Sequence, residues 1–153
     1  MALRLVPVVA EDFEELLALR IAAMQDSLER AGIFDPERAR QRFLGQFDPA
    51  STWHIERLTA AGPVRAGLLT LKVQDGFLRL EHLYIHPRHQ NQGVGTWALA
   101  QAKSRAREEG LDLSLAALRI SDANRFYQRH GLRAVSSTEL DTEYRWSPEG
   151  DRA

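Results

Sequence analysis

The 153-residue sequence contains no cysteine. This absence excludes a disulfide framework, a zinc site built on thiolates and a cysteine nucleophile. It also suits a reducing compartment, and we expect a cytoplasmic protein. The first residues include no long apolar segment with a small-residue cleavage site, so no signal peptide is expected.

A surplus of either charge is also missing, because 21 acidic residues face 20 basic ones and the formal net charge is −1. Without a basic surplus the chain has no general field that would attract nucleic acid. No apolar run approaches the length that spans a bilayer. We therefore expect neither a nucleic-acid nor a membrane partner. The five histidines are scattered without metal-ligand spacing, so no metal is expected.

Periodicity and turn residues predict the order β, two helices, an antiparallel meander, then β-loop-α-β-α-β-β. The fold class is α/β (an α+β mixed sheet) with helices on both faces. Asp12 and Glu15 fit a capping box for the first helix, and the strand over 77–85 is apolar enough for burial on both faces. Strands are predicted over 3–7, 52–58, 64–73, 77–85, 111–118, 132–135 and 143–146, and helices over 12–30, 36–45 and 93–109, with a short one after Ser121 or Asp122.

We expect one domain over residues 1–147 and a frayed tail over 148–153. Within that domain, Gln90-Asn91-Gln92-Gly93-Val94-Gly95-Thr96 joins a strand to a helix. The first amides of a helix have no internal acceptor and lie at the positive end of its dipole, so this loop can cradle a pyrophosphate. The alternative is a tight turn that needs glycine only for its backbone shape. Ala98 breaks the Gly-x-Gly-x-x-Gly pattern, and the Gly-Lys-Ser/Thr of a P-loop is missing.

The segment Leu83-Tyr84-Ile85-His86-Pro87-Arg88-His89-Gln90-Asn91-Gln92-Gly93-Val94-Gly95 closely resembles the cofactor-binding segment of the GNAT superfamily of N-acetyltransferases. That segment reads approximately L-Y-V-x-P-x-x-Q/R-x-x-G-x-G/A. Residues 64–67 resemble the family's third strand, and residues 124–132 resemble its closing F-Y-x-x-x-G-F segment. The resemblance thus covers most of the chain. It implies a central, mostly antiparallel sheet with splayed strands and helices on both faces.

The resemblance implies acetyl-CoA as the co-substrate. Backbone groups of Leu83 and Ile85 would pair with the pantetheine arm as an added strand, and loop amides would hold the pyrophosphate. Arg88, His89 or Lys103 would help with phosphate charge, unless they are only solvated surface residues. The residues expected at the cofactor are Leu83, Tyr84, Ile85, Gln90, Asn91, Gln92, Gly93, Val94, Gly95, Thr96, Ser121 and Tyr127. Ser121 stands where the family usually has asparagine, which weakens that one contact.

The resemblance also implies two catalytic residues. Tyr127 matches the tyrosine that stabilises or protonates the departing thiolate; the alternative is a core tyrosine beside Phe126. Glu81 stands where members that act on amines often carry an acidic residue, and it would accept the amine proton. The alternative for Glu81 is a salt bridge to Arg79 or Arg119. His82, on the opposite face of the strand, is another candidate base.

The expected activity is direct transfer of an acetyl group to a primary amine of a small molecule or a protein. The acceptor site would be formed by the first helical hairpin, about residues 20–47, with Met24, Ser27, Leu28 and Phe34 as lining residues. The alternative is a regulatory domain that binds CoA with weak or no catalysis. The resemblance is compatible with a homodimer, although no residue indicates one.

Overall fold

The structure, a computed structural model, describes residues 2–150. The predicted tail over 148–153 therefore lies partly outside the described residues. Short 3-10 turns are present at Ala10–Asp12, Pro49–Ser51 and Pro87–His89. The helices are α1 (Phe13–Arg30), α2 (Pro36–Gln46), α3 (Val94–Glu109) and α4 (Ala123–Arg129), and the strands are β1 (Leu3–Pro7), β2 (Thr52–Thr59), β3 (Gly62–Gln74), β4 (Phe77–Ile85), β5 (Leu113–Leu118), β6 (Arg133–Ser137) and β7 (Asp141–Trp146).

The strands form a seven-stranded mixed sheet with the hydrogen-bonded order β1-β2-β3-β4-β5-β7-β6. The β1/β2, β2/β3, β5/β7 and β6/β7 pairs are antiparallel, and β4 and β5 are parallel. The predicted class, a mostly antiparallel mixed sheet combined with helices, is confirmed. Within residues 2–150, no helix is both long enough and apolar enough to cross a membrane.

The chain divides into two compact units. The first covers residues 2–70 and 82–98, and it contains α1, α2, β1, β2, most of β3 and the end of β4. Its core includes Leu16, Leu17, Phe43 and Leu68, with Tyr84 packed against it. The buried residues of α1 are Leu16, Leu17, Leu19 and Arg20. Their spacings of three and four residues show that the helical periodicity of the sequence accounts for this core.

The second unit covers residues 71–81 and 99–150. Leu78, Leu113 and Tyr144 are completely or almost completely buried in it. Its strand β6 pairs with β7, exposes all five residues and has a register shift between Ala134 and Ser136.

Most predicted elements are confirmed within two residues, and the turn at Asp75-Gly76 has the positive φ angles, 55° and 83°, of a type I′ hairpin. The predicted start of β5 at Leu111 is wrong. The Leu111 N–H bonds to the Ala106 carbonyl at 3.0 Å, so this residue closes α3 in a Schellman-type arrangement, and β5 begins at Leu113.

Two further predictions are wrong. The strand β4 is not buried on both faces: Leu78, Leu80 and His82 are buried, and the residues between them are half-buried. Asp12 and Glu15 do not form a capping box for α1. The Asp12 carboxylate instead lies 2.8 Å from His54 Nε2 and accepts the Val9 N–H, while Glu15 pairs with Arg65.

Candidate functional site

The loop between β4 and α3 joins a strand to a helix, as the sequence predicts. Asn91 and Gly93 adopt left-handed φ angles of 61° and 83°. The Trp97 N–H donates to the Gly93 carbonyl at 3.0 Å, and α3 begins at Val94. The amides of Val94 and Gly95 therefore lie in the first turn, where a helix offers them no acceptor and its dipole is positive.

Side chains of the loop hold its own backbone. Gln90 Nε2 donates to the Ile85 carbonyl at 2.9 Å, and Gln92 Nε2 donates to the Arg88 carbonyl at 3.2 Å. The Arg88 N–H donates to His86 Nδ1 at 3.1 Å, and Arg57 donates to the Gln92 side chain. The loop is thus shaped before any ligand arrives. The Ile85 carbonyl, predicted to pair with pantetheine, accepts the Gln90 amide in this structure.

Cationic groups gather beside this loop. Partial burial lowers the pKa of His89, and the nearby guanidinium charges of Arg57 and Arg88 lower it further. The two guanidinium groups would attract a phosphate group bound at this loop. Arg57 was missed by the sequence argument, because only the folding of β2 brings it to Gln92.

Lys103, the other predicted phosphate partner, is engaged within the second unit. Its ammonium donates to the His130 carbonyl at 2.6 Å and lies 5.0 Å from the Trp146 ring centroid. A cation at the last carbonyls of α4 is the favourable arrangement for a helix end. The structure thus gives Lys103 a local role at α4.

The end of β4 lies tightly against β3. The His86 N–H donates to the Ala66 carbonyl at 2.8 Å, and a Cβ at Gly67 would lie only 2.5 Å from the Tyr84 carbonyl oxygen. Glycine is therefore required at position 67 by close backbone approach. This contact fixes the backbone of residues 83–85, the segment predicted to pair with pantetheine.

Glu81 is half-buried on β4, and its side chain makes no hydrogen bond or ion pair with any of residues 2–150. It lies two residues beyond the last pair of the parallel ladder between β4 and β5, Arg79 with Ser114. The alternative predicted for it, a salt bridge, does not form. Arg79 Nη1 donates to Glu143 at 2.6 Å, and Arg119 donates to the Thr138 carbonyl at 3.2 Å.

Tyr127 is buried in the second unit, with 7% of its surface exposed. Its ring centroid lies 5.3 Å from that of Phe126 and 5.9 Å from that of Tyr144. Packing thus fixes the position of the ring, which is the alternative that the sequence left open. A fixed ring is also what a hydroxyl needs in order to act at one point in space.

The turn before α4 is held by two polar side chains. Of the two predicted caps of α4, Asp122 occupies the N-cap position and makes no capping hydrogen bond with its side chain. Ser121, one residue earlier, accepts the Ala123 N–H through its Oγ at 3.1 Å. Asn124 Nδ2 donates to the Leu118 and Ser121 carbonyls at 2.8 Å, and its Oδ1 accepts the Tyr144 hydroxyl at 2.7 Å. Asn124 thus ties the turn together, a role that sequence reasoning missed. Its position at the helix start was the available signal.

His82 is 4% exposed, and its ring lies 5.3 Å from Phe43 and 5.7 Å from Tyr84, centroid to centroid. Arg20 of α1 joins these rings: its Cζ lies 5.8 Å from the Phe43 centroid and 5.6 Å from the Tyr84 centroid. We call these four residues the aromatic cluster. Arg20 was also missed, although its spacing of four residues from Leu16 places it on the apolar face of α1.

Charged side chains of β1, α1, β2, β3 and the 3-10 turn before α1 form a separate ionic network. His54 Nε2 lies 2.8 Å from Asp12, Arg65 Nη1 lies 2.7 Å from Glu15, and Glu56 accepts from Arg4 at 2.9 Å. The hydrogen bond from His54, then that from the Val9 N–H, lowers the pKa of Asp12. An open cavity of about 580 Å³, lined in part by Glu56, Arg65 and His86, lies beside this network.

The predicted acceptor-site residues of the helical hairpin, Met24, Ser27, Leu28 and Phe34, are all half-buried. Half-burial fits both packing and ligand contact, so their role stays a prediction. In the described part of the chain, no three His, Asp or Glu side chains are arranged to hold a metal ion.

Comparisons with known proteins agree with this geometry. The family model described as "Acetyltransferase (GNAT) family" matches residues 15–132. No match was found among curated protein sequences. Among solved structures, the chain is similar to the PaiA N-acetyltransferase from Thermoplasma acidophilum in complex with coenzyme A, with TM-score 0.70 and 18% identity over 96% of this chain and 99% of that one.

Two further structures have the same fold. An acetyltransferase from Thermus thermophilus matches with TM-score 0.69 and 22% identity, over 96% of this chain and 97% of that one. The solution structure of apo-form YjaB from Escherichia coli matches with TM-score 0.71 and 15% identity, over 95% of this chain and 98% of that one. Identities this low carry the fold and not the substrate.

Proposed function

Because the chain belongs to the GNAT acetyltransferase family, we propose that it moves an acetyl group from acetyl-CoA to a primary amine by direct transfer. The thioester of acetyl-CoA would supply an activated acyl group. The protein would supply binding, orientation and proton transfer. The observation that carries the proposal is Glu81, a half-buried carboxylate without a partner among residues 2–150.

The loop would hold the pyrophosphate. Its first-turn amides at Val94 and Gly95 point out of the start of α3, and the cations near His89 add long-range attraction for phosphate. Loop side chains already fix the backbone, so little conformational entropy is lost on binding. Backbone groups of Leu83 and Ile85 would pair with the pantetheine arm once the Gln90 side chain releases the Ile85 carbonyl.

Glu81 would receive the proton that the amine loses as it attacks. A carboxylate without a protein partner is free to bind an ammonium group and then to accept its proton, directly or through water. A carboxylate already paired with arginine would be a poorer base, because the positive charge favours its ionised form.

Tyr127 would act at the other end of the reaction. Its hydroxyl would donate to the sulfur as the carbon–sulfur bond breaks, which stabilises or protonates the departing thiolate. The packing of its ring against Phe126 and Tyr144 would hold that hydroxyl in one position.

The experiment measures thiol release from acetyl-CoA with a panel of primary amines, for wild type, Glu81→Gln and Tyr127→Phe. We expect turnover with at least one amine in wild type and a large loss in Glu81→Gln at unchanged melting temperature. CoA binding, measured as a rise in melting temperature, without acetylation of any amine would favour the regulatory alternative. No stabilisation by CoA in wild type would contradict the cofactor assignment itself.

A second variant, Gly93→Ala, tests the loop as the pyrophosphate site. The left-handed φ of 83° at Gly93 disfavours alanine, so this variant should weaken the CoA-dependent rise in melting temperature while the catalytic residues stay in place. An unchanged response to CoA would argue against the loop as the pyrophosphate site.

A further inference from the structure

Arg20 is a charged residue in a core position. It is 7% exposed and lies on α1 between Leu19 and Ile21, opposite the rings of Phe43 and Tyr84. Its Nε is fully buried and has no hydrogen-bond partner. Burying a guanidinium group is costly unless something compensates for the lost water.

Four other arginines differ from Arg20 because each has a carboxylate partner. Arg4, Arg40, Arg65 and Arg79 each bond to a carboxylate, at 2.5 to 2.9 Å. No oxygen of residues 2–150 accepts a hydrogen bond from the Arg20 side chain. Its guanidinium group instead contacts the two aromatic rings, which stabilise the cation only in part.

The geometry of the aromatic cluster leaves a specific part of Arg20 available. Cζ of Arg20 lies over the Phe43 and Tyr84 rings at 5.8 and 5.6 Å, and the N–H donors of a guanidinium group point outward in its own plane. Nη1 and Nη2 are not among the fully buried nitrogens, so they keep access to a ligand. A planar pair of donors against apolar walls matches the two oxygens of a carboxylate.

We propose that Arg20 binds a carboxylate group of the acceptor, so that the preferred substrate is an amine that also carries a carboxylate. The amine of this acceptor rests on the proposed function. Its carboxylate is inferred from Arg20, whose side chain has no hydrogen-bond partner among residues 2–150. Arg20 is then a specificity residue: it takes no part in proton transfer, and its loss raises KM for carboxylate-bearing amines.

The first test measures binding without turnover. Wild type, Arg20→Met and Arg30→Met are titrated with benzoate and with benzamide, a neutral molecule of the same shape, by isothermal titration calorimetry. Methionine keeps an apolar chain against the rings, and Arg30 is an exposed arginine of the same helix. We expect benzoate to bind wild type and Arg30→Met about 10-fold more tightly than benzamide, and this ratio to fall to near one in Arg20→Met.

The second test measures turnover with matched acceptors. The pairs are tyrosine and tyramine, 4-aminobutyrate and butylamine, and 6-aminohexanoate and hexylamine, which place the carboxylate at increasing distance from the amine. For at least one pair, wild type should favour the carboxylated member about 10-fold in kcat/KM, through KM. Arg20→Met should lose that preference without losing activity on the simple amine.

The two tests separate the two proposals. If CoA stabilises the protein but no amine reacts, the transfer reaction fails while the benzoate ratio still decides the role of Arg20. Equal binding of benzoate and benzamide to wild type, or an unchanged ratio in Arg20→Met, would overturn the inference. If Arg20→Met does not fold, Arg20→Lys replaces it. Lysine keeps the positive charge but lacks the planar pair of donors. A lower ratio of benzoate to benzamide affinity in Arg20→Lys than in wild type supports the carboxylate site, and an unchanged ratio contradicts it.

Discussion

Two sets of charged side chains in the molecule differ in whether they have oppositely charged partners. In the ionic network, the 8% exposed Glu56 accepts from Arg4 and lies 3.9 Å from Arg65, so opposite charges are in contact. On β4 and in the aromatic cluster, Glu81 and Arg20 have no oppositely charged partner among residues 2–150. The first arrangement stabilises the fold by itself, whereas the second leaves charge to be neutralised by something that binds.

This difference separates structural from functional charge without recourse to conservation. Removing one member of a buried pair leaves its partner unpaired, so the cost appears as lost stability. Removing a charge that has no protein partner relieves a desolvation cost, so stability should hold or rise while function is lost. The following variants test that separation.

The largest effect is expected for Glu81→Gln. Loss of a general base reduces turnover by about 100-fold or more. The melting temperature should not fall, because no ion pair is broken. Steady-state kinetics and thermal melts check both expectations. A variant that is less stable but fully active would show that Glu81 has a structural role, as the paired charges of the ionic network do.

The second largest effect is expected for Gly67→Ala, which shifts the backbone at the end of β4 without changing any charge. The added methyl would lie 2.5 Å from the Tyr84 carbonyl oxygen and 2.9 Å from the Ile85 side chain, so the end of β4 must move away from β3. We expect a loss of about 1–3 kcal/mol in the free energy of unfolding. Weaker CoA binding should accompany it. Chemical denaturation and a CoA titration measure these, and Gly45→Ala, with no atom near its added methyl, is the matched control.

Glu56→Gln should give the reverse of the Glu81 result. The Arg4 side chain is 53% exposed, so solvent reduces the cost of breaking the pair, and we expect a loss of about 1–2 kcal/mol. Activity with saturating substrates should stay within twofold of wild type. Denaturant melts and kcat values decide the matter, and a large loss of kcat would place the ionic network in the reaction.

The smallest effect is expected for Asp12→Asn and depends on pH. Because the His54 hydrogen bond lowers the pKa of Asp12 in the folded protein, the ionised carboxylate stabilises the fold above the ordinary aspartate pKa of about 4. That contribution is lost as pH falls through the lowered pKa. The variant should melt a few degrees below wild type at pH 7, and the gap should close towards pH 3. A gap that stays constant with pH would exclude the carboxylate charge as its cause.

Local signals predicted most of the fold. Asp35 caps α2 by accepting the Glu37 and Arg38 amides at 3.1 and 3.2 Å, and the turn Asp75-Gly76 closes the β3/β4 hairpin. Each depends on a few neighbouring residues, and such information is contained in the sequence itself. The motif that places the loop before α3 is equally local.

The features that were missed depend on distant partners. Asp12 lies 42 residues before His54, and this contact cannot be read from helical spacing. Arg57 reaches Gln92 only once the sheet has formed. Arg20 lies on the apolar face of α1, but the absence of an oppositely charged neighbour becomes visible only when its whole surroundings are known. Contacts between side chains that are distant in sequence are therefore the property that a single sequence predicts least well.

Strand β6 has a consequence for behaviour in concentrated solution. It is five residues long, fully exposed and irregular in register between Ala134 and Ser136, and it begins with Arg133. A short edge strand with an irregular register offers a poor template for pairing with strands of other molecules. The geometry of β6 therefore disfavours association of the protein through this edge of its sheet.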